Sequence, residues 1–186
     1  MWDLPFFVEI NGKKHPIRNN CDYRVILDVI CALNDNDLTD EEKIKCALFI
    51  FYENLKDIKD FEAATKKMFQ VINLNEEEDL SSSRAGTKLM DWEHDFNKLA
   101  PPISRVLGYD VRTPDRYCHW FSFIGAYQEI GECQFSTIVS IRQKIAKGKK
   151  LEKWEEEYRR EHYKEINLPK KLTQEEKELL SLFKGE

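Results

Sequence analysis

The sequence predicts a mainly α-helical protein with a small N-terminal β-hairpin, an α+β chain of two helical segments joined by a polar linker. Three observations carry this reading. Apolar residues recur every three to four positions through most of the chain. Gly and Pro are few, 7 and 6 among 186 residues, so long stretches contain no helix breaker. One Asn-Gly pair, Asn11-Gly12, separates two short extended runs near the N-terminus.

The elements follow in order. Phe6 to Ile10 and Lys13 to Arg18 read as the hairpin strands, because both Asn-Gly positions accept the positive φ of a tight turn. Pro16 cannot donate to a ladder and makes the second strand an edge that ends early. Asp22 can cap a helix over Tyr23 to Leu33, where Val25, Ile26, Val29, Ile30 and Leu33 share a face. Asn34 to Asp37 is a loop. Thr39 with Glu42 three residues on forms a capping box for a helix carrying Ile44, Ala47, Leu48 and Phe51. Phe49, Ile50 and Tyr52 are also apolar, so this helix is expected to be buried nearly all round. Asp60 starts a third helix through Phe61, Ala64, Met68, Phe69 and Ile72.

The acidic and Ser-rich stretch 76–87 reads as a mobile linker. It divides the chain into a hairpin plus three-helix segment, 1–75, and a helical C-terminal segment, 88–186. In the second segment Leu89, Trp92, Phe96 and Leu99 are spaced for a helix that Pro101-Pro102 is expected to end, with Pro102 opening the next turn. Tyr117, Trp120, Phe121, Ile124 and Tyr127 form a stripe ended by Gly131, and Phe135, Ile138, Val139, Ile141 and Ile145 another, closed by Gly148. Leu151, Trp154 and Tyr158, extended by His162, form a third that Pro169 stops. Thr173 caps a short terminal helix through Leu179, Leu180 and Phe183.

Composition excludes some classes. The 22 aromatics (4 Trp, 7 Tyr, 11 Phe) are too many for a disordered chain, and Gly and Pro are too few for a collagen-like one. The longest near-continuous apolar run, Cys46 to Tyr52, is far short of a membrane span. Asp3 sits where a signal peptide carries basic residues. Five scattered cysteines, Cys21, Cys31, Cys46, Cys118 and Cys133, read as free thiols of a reducing cytoplasm, all five small buried hydrophobes.

Catalytic patterns are missing. There is no G-x-x-x-x-G-K-[ST], no G-x-G-x-x-G, no G-x-S-x-G and no H-E-x-x-H. Asp35 to Asp40 begins like a calcium loop but has Asp40 at the glycine position and Cys46 where a bidentate Glu belongs. Cys118-His119 with Cys133 and His94 fits no standard zinc spacing, and a half-buried Cys beside a helix-end His is the simpler reading. The carboxylate runs 76–79, 155–157 and 175–178 read as solvated faces or helix N-termini. The expectation is a protein that is not an enzyme and uses no cofactor or metal.

Charge offers more. Ile141 to Lys153 carries Arg142, Lys144, Lys147, Lys149, Lys150 and Lys153 against Glu152 alone, a net +5 in a chain of net charge −5. Such a stripe can hold phosphates, dock an acidic protein or be neutralised by the acidic helix that follows. The acidic total favours a protein-facing or self-neutralised role over nucleic acid. Gly148-Lys149-Lys150 reads as a hinge between two helices that can expose an apolar groove. Trp92, Trp120 and Trp154 lie on stripes most simply read as core, while Trp2 lies on an N-terminal arm free to dock. The candidate partner-binding residues are Trp2, Arg112, Arg142, Lys144, Lys147, Lys149, Lys150 and Trp154.

Several ordered strings resemble one family. They are Val8 to Lys13 with His15-Pro16-Ile17, Asp22 to Leu27, Asp91 to Phe96, Arg105 to Arg112, His119-Trp120 with Phe123 to Tyr127, and Ile141 to Lys144 with Lys147 to Leu151. Together they are similar to the gene-product-fifteen family of long-tailed bacteriophages that infect Gram-positive hosts, across roughly residues 4–170. The resemblance implies a tail assembly chaperone. Such a chaperone coats the aggregation-prone tape measure protein and keeps it soluble while tail tube subunits polymerise round it. It implies the tape measure protein as partner, with tail tube protein and self-association as further contacts. It also implies action in the host cytoplasm, absence from the mature virion and no membrane. The alternative is a nucleic-acid-binding phage regulatory protein using 141–153.

Overall fold

In the computed structural model the Asn-Gly pair makes the turn that its chemistry requires. Asn11 and Gly12 have φ of 50° and 75°, joining β1 (Phe7–Ile10) to an antiparallel β2 (Lys13–Pro16). Residues 3–74 and 87–169 are described; Trp2, linker positions 76–86 and the terminal helix expected after Thr173 lie outside them. Among the described residues there are eight α-helices and this one two-stranded sheet. No helix among them is long and apolar enough to cross a membrane. Chain contacts divide into two compact units.

In the first unit, three helices follow the hairpin: α1 (Tyr23–Leu33), α2 (Asp40–Phe51) and α3 (Phe61–Ile72). Each begins at the residue whose side chain can cap it. Asp22 accepts from the Arg24 N–H, Thr39 and Glu42 form the reciprocal box, and Asp60 accepts from the Ala63 N–H. The inward faces bury Val8, Ile10, Ile17, Ile26, Val29, Leu48, Phe51 and Met68. The Tyr52 hydroxyl donates to the Ala64 carbonyl at 2.9 Å. Arg18 donates to the carbonyls of Phe49, Ile50 and Tyr52, each at 2.8 Å, so a guanidinium closes the C-terminal end of α2.

The expected all-round burial of α2 does not occur. Its neighbours α1 and α3 cover Ala47, Leu48 and Phe51, while Phe49 projects with 67% of its surface exposed. His119, Trp120 and Phe121 also group with this first unit. His119 bridges Asp22 and bonds the Pro5 carbonyl, and the Trp120 indole N–H donates to the Ile72 carbonyl at 3.0 Å.

The second unit is helical: α4 (Trp92–Leu107), most of α5 (Trp120–Gln128), α6 (Gln134–Ala146), α7 (Lys153–Glu161) and the single turn α8 (Tyr163–Ile166). Here α4 corrects the sequence reading. It does not end at Pro101-Pro102 but runs through both to Leu107. Two missing N–H groups deprive the carbonyls of Asn97 and Lys98 of their usual donors. Burial of Leu99, Ala100, Pro102 and Ile103 on the inward face holds the helix through that point. Gly108, at φ 76°, is the stop.

The α5 stripe also shifts. Tyr117 precedes the helix and is exposed, and the buried positions are Trp120, Phe123 and Ala126. Trp92 packs against Phe123 and Tyr127 with ring centroids 5.8 and 5.2 Å away. Ile138, Ile141, Leu151 and Ile166 form a cluster against which Tyr158 packs.

Candidate partner-binding surface

The basic stretch begins inside the protein. Arg142 stands four residues after Ile138 on the inward stripe of α6 and is 5% exposed. Its guanidinium meets both oxygens of Asp95 at 2.7 and 2.8 Å. It also donates to the carbonyls of Leu89 at 2.9 Å, Ile166 at 3.0 Å and Glu165. Five donors thus meet five acceptors, which is how a buried arginine avoids an uncompensated charge. Arg142 leaves the set of surface candidates for that reason. Its work is to tie the end of α8 and the chain at Leu89 to α6.

Lys144 is spent nearby. Its ammonium donates to Glu155 at 2.6 Å, and the other Glu155 oxygen accepts from the Glu152 N–H at 2.9 Å. The hydrogen bond from Lys144 holds the Glu155 carboxyl below the usual carboxylate range. The 155–157 run is therefore not a wholly solvated face, since the Glu155 side chain is 2% exposed. The first part of the stretch is neutralised within the chain.

Beyond it, α6 ends in a paired-bond cap. The Gly148 N–H reaches the Ile145 carbonyl at 3.0 Å and the Lys149 N–H reaches the Lys144 carbonyl at 2.9 Å. Gly148 takes φ 63°, the left-handed value this cap demands. The chain reverses here, and Leu151 drops into the apolar cluster. Lys147, Lys149, Lys150 and Lys153 stay exposed.

The turn and the two helices after it enclose an open groove of about 740 Å³. Ile145 and Leu151 give it an apolar side, Tyr163 stands at its edge, and Lys149, Lys150, Arg159 and Arg160 supply charge, with Glu156 as a single carboxylate. Of the candidates read from sequence, the structure brings Lys149 and Lys150 into this groove. Trp154 is 53% exposed, not core, but lies outside the lining and bonds Glu152 through its indole N–H at 3.0 Å. Arg112 sits elsewhere, in the loop after α4, paired with Asp110 at 2.8 Å. Lys147 is exposed outside the lining, and Trp2 lies outside the described residues.

Sequence reading missed Arg159, Arg160 and Tyr163. Their signal was present: Glu156, Arg159, Arg160 and Tyr163 fall at i, i+3, i+4 and i+7, one helical face. The acidic run before them masked it as a self-cancelling surface.

The His and Cys constellations of the sequence are structural. The His119 ring accepts the Phe121 N–H at Nδ1 and contacts the Pro5 carbonyl through Nε2, so both nitrogens are engaged by backbone. Burial holds its pKa below the usual histidine value. All five cysteines are free, but only Cys21 and Cys118 are buried, the other three being partly exposed; burial pushes the Cys21 thiol up to about 12. Among the described residues no cluster of His, Cys, Asp or Glu has the arrangement of a metal site.

Against known families, the model described as Bacteriophage Gp15 protein matches residues 1–168. No curated protein and no solved structure matches the chain.

Proposed function

The chain belongs to the bacteriophage Gp15 protein family, and from that membership we propose that it is a tail assembly chaperone. It binds the tape measure protein, keeps that client soluble and helps recruit tail tube subunits. It works in the host cytoplasm, does not remain in the mature virion and performs no catalysis. The observation that carries the reading is the family match over residues 1–168. The exposed groove beside Gly148 adds support, because a holdase needs apolar surface rimmed by charge, with the remaining surface hydrophilic.

Co-expression with the tape measure protein tests the proposal. The expected result is a soluble complex that co-purifies, with the tape measure protein insoluble when expressed alone. A tape measure protein that is equally insoluble in both cases, with no complex, refutes it. Strong retention on DNA at low salt, falling steeply as salt rises, would instead support a nucleic-acid-binding regulator.

A further inference from the structure

Several cations of the second unit, Lys147, Lys153 and Lys164 among them, hold no carboxylate among the described residues, and four such cations converge on one surface. Lys88, Lys98, Arg112, Arg142 and Lys144 each hold a carboxylate of the same unit. Lys149, Lys150, Arg159 and Arg160 hold none among the described residues, and all four line the groove. With Glu156 as the single opposing charge, the lining carries a net +3 on a chain of net −5. Apolar surface is exposed at the same place, with Ile145 and Tyr163 at 37% and 62%.

We propose that this groove binds an acidic amphipathic helix of a partner protein. The partner's apolar stripe lies along Ile145 and Tyr163, with the edge of Leu151 between them as floor. Its flanking Asp and Glu residues meet Lys149 and Lys150 from the turn, and Arg159 and Arg160 from α7. A nucleic-acid backbone suits the site less well. It is uniformly anionic, so Glu156 repels it, and Ile145 and Leu151 give it nothing to bind. The inference rests on the chaperone reading for the partner's identity, the tape measure protein, and adds the chemistry of the segment that is held.

Fluorescence anisotropy on the full chain tests it with three probes. One is a labelled peptide with Leu at three-to-four spacing flanked by Glu; the second has Lys in place of Glu; the third is a mixed-sequence single-stranded DNA. The Glu peptide is expected to bind, more weakly as salt rises, and the other two are expected to bind less well. Lys149→Glu with Lys150→Glu should weaken the Glu peptide roughly tenfold, since two exposed attractions become repulsions. Lys153→Glu, outside the lining, should weaken it much less, by no more than about twofold at physiological salt. Circular dichroism checks that the variants are folded, with Arg159→Glu and Arg160→Glu as the second pair. Tighter binding of the Lys peptide or the DNA overturns the proposal, as does a Glu-peptide affinity unchanged by both reversals. The two readings separate cleanly. A tape measure protein that fails to co-purify while the Glu peptide binds overturns the chaperone alone. A complex that survives both reversals overturns the groove assignment alone.

Discussion

Arg142→Met is the sharpest perturbation of the second unit. The wild-type guanidinium satisfies both oxygens of Asp95 and the carbonyls of Leu89, Glu165 and Ile166. Methionine keeps much of the stem's apolar volume and removes every donor. Asp95, 2% exposed, is left with the Asp91 N–H at 3.0 Å and no cation. Removing one partner of a buried, hydrogen-bonded pair costs about 3–5 kcal/mol in all, the acceptors left without a donor included. A total near 4 kcal/mol is a large fraction of the roughly 5–15 kcal/mol that stabilises a domain. Urea unfolding followed by circular dichroism should show that loss, and hydrogen exchange should place it in α4, α6 and α8. Adding Asp95→Leu removes the stranded charge and should recover about 1–2 kcal/mol. A loss below about 1 kcal/mol for Arg142→Met, or a double variant less stable than the single, would show that Arg142 does not neutralise a buried Asp95 charge.

Three further outcomes are expected. Pro101→Ala should stabilise the protein by about 1–2 kcal/mol, because it restores an interior helix donor worth about 3 kcal/mol against some gain in unfolded-chain freedom; Pro101 is exposed, so no packing is lost, and a lower urea midpoint would count against it. Tyr158→Phe should raise stability slightly, by up to about 1 kcal/mol, because the Tyr158 hydroxyl is buried with no partner among the described residues; a clear loss in thermal unfolding would show that the hydroxyl is satisfied. His119 is held neutral, with its folded pKa below the unfolded one, so its contribution is present above the ordinary histidine value of about 6.5 and is lost as pH falls below it. His119→Gln should therefore flatten the stability profile between neutral and mildly acidic pH, and a profile identical to wild type would remove His119 as the cause.

Local chemistry made the first unit legible. Asn11-Gly12, Asp22, Thr39 with Glu42, and Asp60 each act on backbone within a few residues, and each fixes a boundary where the sequence places it. What failed depended on tertiary cover. Phe49 looks buried by hydropathy, yet among the described residues only the Arg18 guanidinium stands over its ring and 67% of its surface is exposed, whereas Pro101-Pro102 looks like a stop until the buried face of α4 is known. The surface was half legible for the same reason. Net charge from 141 to 153 marks the basic turn, but Arg142 and Lys144 face acids inside the unit, which a net charge does not register. Nor does it register that Arg159 and Arg160 complete the groove from the next helix. Arg142 at the i+4 position of an apolar stripe was the warning in the sequence itself.

Hydrogen exchange of the full chain, with and without the tape measure protein, reads whether the groove beside Gly148 takes that client. Slowed exchange across 145–163, from the last turn of α6 through Tyr163, is expected when the tape measure protein is present. Exchange left unchanged throughout 87–169 in the presence of that protein would contradict that expectation.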